Sequence, residues 1–461
     1  MAGFSKRNAC TIQKHACGAV RVLSIALLLL PLAFSKPENH GRMHIGLPSV
    51  YNGDEPHYLL MINSILHDGD LDLKNNYRAV HQGAVQAGKR FVGALLEHHT
   101  FWYVNGTYYT GCEEFGPEKA EWHEDKSGFL SPRIKDARLA NIIEGLPEYS
   151  VHPPGLALLM APALYFFRDS KMFEPMAIIF TGLIMVAAMI FFNHLLRAYT
   201  NNAWTRTLLT AAVFLGSPLW YYARTLYSEG PMTLLAMAAY ALYISSKKIV
   251  LPGLLLGVGV LLKPIFILLA LPILFNMARN KEVRNLGRFS IAMSFGICVY
   301  FLLNYQMNGS VIKTSQPFII GNTLSGAWGL LTDPQWGLVL FCPALIIALP
   351  LWPAFIREYG HKAWLPAGGF LLYFIVISTY AVWRGGDSYG PRYIVPVIPF
   401  ILLPLLLFLS PAYRRIRWRT VIGILLILLS IFINANGAIA SWKFINRNPL
   451  VAAFIKVGAL L

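Results

Sequence analysis

The sequence predicts an all-α polytopic membrane protein of about 11 transmembrane helices with a long first extracytoplasmic loop. Three observations carry this expectation. Of 461 residues, 56% are apolar and 13% charged, roughly half the charge of an ordinary globular domain. The apolar residues gather into long blocks separated by short basic clusters, as membrane spans require. Finally, 16 of the 23 acidic residues fall between Ser35 and Ser150, which marks that segment as the part in water. A water-soluble enzyme is excluded. The formal charge is +16, and outside the acidic segment 28 basic residues stand against 7 acidic ones. That distribution suits loops facing anionic cytoplasmic lipid and argues against a nucleic-acid partner.

The elements follow in order. Lys6, Arg7, Lys14 and Arg21 precede an apolar run from Val22 to Phe34, which reads as an uncleaved signal anchor with its basic end inside. Later blocks run Pro175 to Leu196, Thr207 to Ala223, Pro231 to Ser246, Ile249 to Leu262 and Ile265 to Ala278. They continue as Phe289 to Tyr305, Trp336 to Phe355, Ala363 to Trp383, Tyr393 to Ser410 and Thr420 to Ala440. One further stretch, Pro154 to Phe167, is only 14 residues long and contains Pro162, a length ambiguous between a span and an interfacial helix. Charge decides: if it does not cross, 18 basic residues collect inside against 10 outside, whereas crossing gives 14 on each side. The positive-inside rule favours the first topology. Basic clusters flank both ends of Ile249 to Ala278, so that region crosses an even number of times, with a hairpin near Lys263-Pro264.

Four segments result: residues 1–34, the N-terminal cytoplasmic part and first span; 35–171, the extracytoplasmic loop with juxtamembrane helices; 172–440, the transmembrane body; and 441–461, a short extracytoplasmic tail. Cys10, Cys17, Cys112, Cys298 and Cys342 are too few and too scattered for a disulfide framework.

Several motifs on the expected outer face have residues capable of chemistry. Asn52-Gly53-Asp54-Glu55-Pro56 reads as a turn followed by an acidic cap on a helix that opens with proline. It also holds two adjacent carboxylates beside the membrane, one of them available as a general base. Tyr149 to Gly155 contains His152 before a rigid Pro153-Pro154 start to a helix. Ser217 to Pro231 contains Arg224 and Glu229 in apolar surroundings. A charge at membrane depth costs about 3 kcal/mol on insertion scales, so these two need either mutual pairing or a polar site, and Lys263 poses the same question. Trp383 to Tyr393 carries Arg384 and Arg392 around Gly385, Gly386 and Gly390. Such a loop either presents backbone N–H groups and guanidinium forks to phosphate or is simply a tight surface turn.

Other matches fail. Gly83 to Lys89 nearly spells a phosphate-binding loop, but Arg90 replaces the Ser/Thr and no strand precedes it. Asp68, Asp70 and Asp72 begin like a calcium loop, but Leu73 occupies the glycine position. Asn105-Gly106-Thr107 and Asn308-Gly309-Ser310 are glycosylation sequons, and Glu97-His98-His99 is more simply a wet surface than a metal site.

Taken together and in this order, GDEPHYLL, HPPG, SPLWYYARTLYSEGP and WRGGDSYGPRYIVPVIPF resemble the GT-C superfamily of integral-membrane glycosyltransferases, in the branch of protein O-mannosyltransferases and aminoarabinose transferases. The resemblance covers about Asp54 to Phe400. It implies a polyprenyl-phosphate sugar as donor, transfer with inversion to an extracytoplasmic acceptor, and a bacterial inner or plasma membrane with the active site on the outer face. It further implies that Asp54, with Glu55 beside it, is the catalytic acid position and that Glu229 supports the site. His152, Arg224, Lys263, Arg384 and Arg392 are then donor-phosphate ligands. No cofactor is expected. A divalent metal is not expected either, because Glu229 is one carboxylate short of the paired acids of metal-using oligosaccharyltransferase-like members. The chain departs from some relatives in ending soon after Ala440, without a large soluble domain. The rival readings are a lipid flippase or transporter, whose membrane-depth charges would line a pathway, and a polysaccharide polymerase or ligase.

Overall fold

A computed structural model describes residues 2–35, 44–50, 54–81, 100–104, 107–111, 123–124, 130–131, 142–386, 388–410, 417–439 and 448–451. Asn52-Gly53, Gly83 to Lys89, Glu97-His98-His99, Asn105-Gly106, Cys112, Asp387 and most of 441–461 lie outside the described residues.

The chain is a polytopic helical membrane protein. It opens with α1 (Ala2–Leu29), which is tied into the bundle by Trp220 Nε1 donating to the Leu27 carbonyl at 2.9 Å. The following segment forms a short hairpin, β1 (Phe34–Ser35) with β2 (His44–Ile45), and two helices, α2 (Glu55–His67) and α3 (Lys74–His81). It also holds β3 (Thr100–Val104), β4 (Thr107–Gly111), β5 (His123–Glu124), β6 (Leu130–Ser131) and β7 (Tyr149–Ser150), in the order β5-β6-β4-β3-β7. This small sheet is not foreseen by an all-helical reading. Its core is the β3–β4 hairpin, whose Thr and aromatic residues suit a pleated, half-buried surface. Its register pairs Thr100 with Gly111 and Val104 with Thr107.

The body follows: α4 (Gly155–Leu164), α5 (Phe173–Leu195), α6 (Ala203–Leu215), α7 (Leu219–Tyr222), α8 (Glu229–Ile244), α9 (Val250–Leu262), α10 (Leu271–Arg279) and α11 (Val283–Asn308). Then come α12 (Thr323–Thr332), α13 (Leu338–Phe341), α14 (Leu345–Tyr359), α15 (His361–Thr379), α16 (Ile398–Ile401), α17 (Leu405–Phe408) and α18 (Arg417–Ile439). Among the described residues five helices are long and apolar enough to cross a membrane: His15–Ala33, Phe173–Ala198, Val283–Asn308, His361–Thr379 and Trp418–Ile439.

Among the described residues the other expected blocks fold as shorter or broken helices. Proline breaks one of them outright. The Tyr393 to Ser410 block is a 3₁₀ segment Arg392–Val397 followed by α16 and α17, interrupted at Pro396, Pro399 and Pro404, each of which lacks the N–H a continuing helix needs. At Lys263 the chain leaves α9 with extended dihedrals, φ −155° and ψ 129°, the conformation imposed on a residue that precedes proline. The expected turn at Lys263-Pro264 is therefore present.

Candidate functional site

The site forms where the N-termini of α2 and α8, the start of α4, the break after α9 and the loop before α16 converge. Asp54 is the residue immediately before α2, but it makes no side-chain cap bond and has helical dihedrals, φ −74° and ψ −15°. The capping role expected of this acid is thereby corrected, while the helix does open with proline; the Asn52-Gly53 turn lies outside the described residues. The carboxylate points instead at Arg392, whose Nη2 donates to Asp54 Oδ2. His152 Nδ1 stands 3.7 Å from the same oxygen.

Arg392 bridges two acids. Its Nε donates to Glu229 Oε1 at 3.0 Å, and Lys263 Nζ reaches that same oxygen at 2.5 Å. The result is a chain Asp54–Arg392–Glu229–Lys263 in which two carboxylates and two cations alternate, with Glu229 fully buried. Ion pairs so deeply desolvated persist only when geometry is good and further hydrogen bonds are satisfied. Aromatic faces complete the enclosure: the Arg392 guanidinium lies 4.2 Å from the centre of the Tyr227 ring, and Lys263 Nζ 4.9 Å from that of Tyr393. Burial by itself would raise the Asp54 carboxyl, but the Arg392 guanidinium, aided by His152 and Lys263, more than offsets this and holds it well below the usual carboxylate range.

Local sequence explains each placement. Pro391 and the glycine turn direct Arg392 inward; Gly385, Gly386 and Gly390 all have left-handed φ, 75°, 69° and 67°, which their lack of a side chain permits. His152 follows β7, whose Ser150 Oγ accepts from the His152 backbone N–H at 3.1 Å, and its ring lies 5.3 Å from that of Tyr58. Leaving the helix at Lys263 frees that side chain to turn back to the head of α8. Upstream of Asp54, the Val50 N–H donates to Glu174 Oε1 at 2.7 Å, tethering the segment to α5.

Five of the eight sequence-designated residues, Asp54, His152, Glu229, Lys263 and Arg392, thus meet in one cluster. The other three do different things. Glu55 is fully buried and its Oε1 accepts the Leu226 backbone N–H at 2.7 Å, locking α2 to the strand of chain that leads into Glu229. Arg224 is not paired with Glu229, as one reading of that motif allowed; its Nη1 donates to the Ala438 carbonyl at 2.9 Å, cross-linking this loop to the end of α18. Arg384 is exposed and lays its guanidinium over Trp383 and Trp336, at 4.8 and 5.2 Å from the ring centres. Sequence reasoning missed the roles of Tyr227, Tyr393 and Tyr58, although each sits inside a motif already singled out. It also missed the buried pairing of His57 with the Tyr77 hydroxyl beneath His152. Among the described residues no group of three or more His, Cys, Asp or Glu side chains comes together as a metal site would need.

No protein-family model matches the chain, and no curated protein sequence does. Its structure does have solved counterparts. A crystal structure of ArnT from Cupriavidus metallidurans in the apo state aligns over 95% of this chain and 78% of that one, with a TM-score of 0.50 at 13% sequence identity. The fold is similar to that of ArnT. A second ArnT crystal structure, bound to undecaprenyl phosphate, aligns over 96% of this chain and 77% of that one, with a TM-score of 0.49 at 13% identity. The likeness to apo ArnT extends over almost the whole chain.

Proposed function

We propose that the chain is a membrane glycosyltransferase that moves a sugar from a polyprenyl-phosphate donor to an extracytoplasmic acceptor, with inversion and without a metal. The observation that supports it most is the convergence of Asp54 and Arg392, 338 residues apart, into one buried charged network with His152, Glu229 and Lys263. These are the positions that the GT-C resemblance marks, and they lie in an ArnT-like frame.

In this reading the acceptor's oxygen or nitrogen attacks the anomeric carbon from the face opposite the phosphate. The bond between that carbon and the phosphate oxygen breaks, its electron pair leaves with the polyprenyl phosphate, and the acceptor proton passes to Asp54. Arg392 and Lys263 offset the charge that develops on the leaving phosphate. Both cations already hold carboxylates, so a phosphate has to share them. Drawing Arg392 toward the phosphate loosens its hold on Asp54 and makes that carboxylate a better base.

The branch nearest in motif is that of protein O-mannosyl- and aminoarabinose transferases, which makes a hexose or pentose the expected cargo. The test is direct: reconstituted protein is given a radiolabelled polyprenyl-phosphate sugar, and release of polyprenyl phosphate with label on an acceptor is measured. Movement of intact donor across the bilayer without bond cleavage would instead establish a flippase. Mass spectrometry of lipid-linked sugars in cells lacking the protein identifies which sugar accumulates.

A further inference from the structure

A cavity of about 540 Å³ lies between α1, α5, α6 and α8, far from the charged network. α8 links the two: Glu229 begins it, and Leu242, thirteen residues on at about 1.5 Å each, lines the cavity roughly 20 Å away. Arg21 and Arg197 reach into it, with Asn193, His194, Thr207 and Ser246 as its other polar walls, and no carboxylate lines it. The polar walls satisfy one another: Asn193 Nδ2 donates to Thr210 Oγ1 at 3.1 Å, and a His194 ring nitrogen shares a hydrogen bond with Ser246 Oγ at 2.9 Å.

The two arginines meet no carboxylate on these walls. Arg21 stands just ahead of the apolar run from Val22, and the partner of its Nε is a hydroxyl, Thr207 Oγ1 at 2.9 Å. Arg21 and Arg197 are both exposed, at the basic end of the apolar run that starts at Val22, and two cations on a wall without a carboxylate suit an anion such as a lipid headgroup phosphate. A third guanidinium adds to the field. Arg206, next to Thr207, is close enough to feel both charges, and its Nη1 bonds the Thr200 carbonyl while its buried Nε has no partner. The opposite wall is apolar, and Ile190, which belongs to it, is also exposed on the flank of the bundle, where acyl chains lie. A molecule filling this space needs an anionic end at the arginines and a hydrocarbon body running out past Ile190.

We propose that this cavity is a binding site for an anionic phospholipid, whose headgroup phosphate is held by Arg21 and Arg197. The site is distinct from the charged network and stands whether or not sugar transfer occurs there. The test uses purified full-length chain in detergent, incubated with phosphatidylglycerol, phosphatidylcholine or inorganic phosphate, with retained ligand counted by native mass spectrometry. Phosphatidylglycerol should be retained at least ~10-fold better than phosphatidylcholine, the discrimination two basic residues supply near an anionic headgroup. A large excess of inorganic phosphate should not displace it. The double variant Arg21→Gln/Arg197→Gln should lose this preference, Arg21→Lys/Arg197→Lys should keep it, and Arg288→Gln should leave it unchanged. Equal retention of the two lipids overturns the proposal, as does wild-type retention in the double glutamine variant. Displacement by phosphate alone would reduce the site to one for a free anion. Lipid selectivity is read on the wild-type chain, so the result stands even if the double variant does not fold.

Discussion

Asp54 and Glu55 are adjacent carboxylates with separate tasks, and amide substitution tells them apart. Asparagine at 54 cannot take a proton at neutral pH, so Asp54→Asn should lose at least ~100-fold in transfer rate. It also leaves Arg392 buried with one charged partner fewer, so its unfolding midpoint has to be measured beside its rate. Glutamine at 55 still offers a carbonyl oxygen to the Leu226 N–H, so Glu55→Gln should stay within roughly 10-fold of wild type, as expected for the loss of about one net hydrogen bond. Wild-type turnover in Asp54→Asn would move the base elsewhere. The sign of the Asp54 shift also sets its pH behaviour. Its carboxyl is depressed in the folded chain, so the stability it contributes is fully present above the ordinary carboxylate range and is lost only as pH falls through the depressed value. Between about pH 5 and 8 it stays ionised. Arg392 is the harder residue to replace. Its Nε and Nη2 reach two different acids at once, a fork that a point-charge ammonium does not reproduce. Arg392→Lys should therefore lose about 10-fold or more in rate although its charge is kept, the scale of one charge-assisted hydrogen bond. Arg384→Ala, which removes a ring-stacked and exposed arginine, should do less. Equal rates in wild type and Arg392→Lys would restrict this arginine to a structural role.

Elements are held together by close backbone approach as much as by charge. Gly253 and Gly257 are spaced one helical turn apart on α9, and a Cβ on either would fall 2.4 Å from the Phe289 carbonyl oxygen or 2.3 Å from that of Met293 on α11. In a membrane, where lipid is as apolar as leucine, such small-residue contact is a principal source of helix association. Gly257→Leu should force the helices apart, at a cost of about 1–3 kcal/mol or more, and it should lower the thermal midpoint in detergent; an unchanged midpoint would show that α9 and α11 do not depend on this contact. The same element scale shows what the sequence could and could not reveal. Apolar block length located the long helices α5, α11, α15 and α18, because a span needs a run of apolar residues and little else. It did not show that Tyr393 to Ser410 breaks into three pieces, since hydropathy is blind to the missing N–H of proline. The Asn105-Gly106 pair between two runs of threonine and aromatic residues is a hairpin signal, which the sequon reading of Asn105-Gly106-Thr107 does not use. Asp54, Glu229, Lys263 and Arg392 were legible as isolated charges in apolar surroundings. Which of them pair was not, because the pairing depends on tertiary contacts spanning up to 338 residues. Arg224 looked equivalent to Arg392 in sequence and differs only in what the fold sets beside it.

At the scale of the molecule, the charged network and the basic cavity lie roughly 20 Å apart along α8, and an outer-face transfer reaction requires that the end of the bundle holding the network face the outer side of the membrane. α11 tests this cleanly. Its 26 residues rise about 39 Å, more than the ~30 Å hydrocarbon core of a bilayer. Arg284, exposed near its start, belongs to the basic cluster that the positive-inside rule puts in the cytoplasm. Its other end meets the segment between α1 and α4: Met307 packs with Leu71 and Phe101, and Gly309 lies against the Tyr103 ring of β3, the strand that pairs with β7 just ahead of His152. Gln316, eight residues past the helix, is exposed on that same side. In a background lacking the five native cysteines, Gln316→Cys should react with a membrane-impermeant thiol reagent applied to intact cells, while Arg284→Cys should react only after permeabilisation. Native Cys112, tested alone, should behave like Gln316→Cys. If Arg284→Cys were labelled from outside and Gln316→Cys were not, the bundle would be inverted, and Asp54 and Arg392 would face the cytoplasm. An outer-face transfer reaction would then be ruled out, whatever the variants at Asp54 and Arg392 do to the rate. Labelling of both positions from one side would mean that α11 does not cross at all, and the two ends of the bundle would have to be assigned afresh.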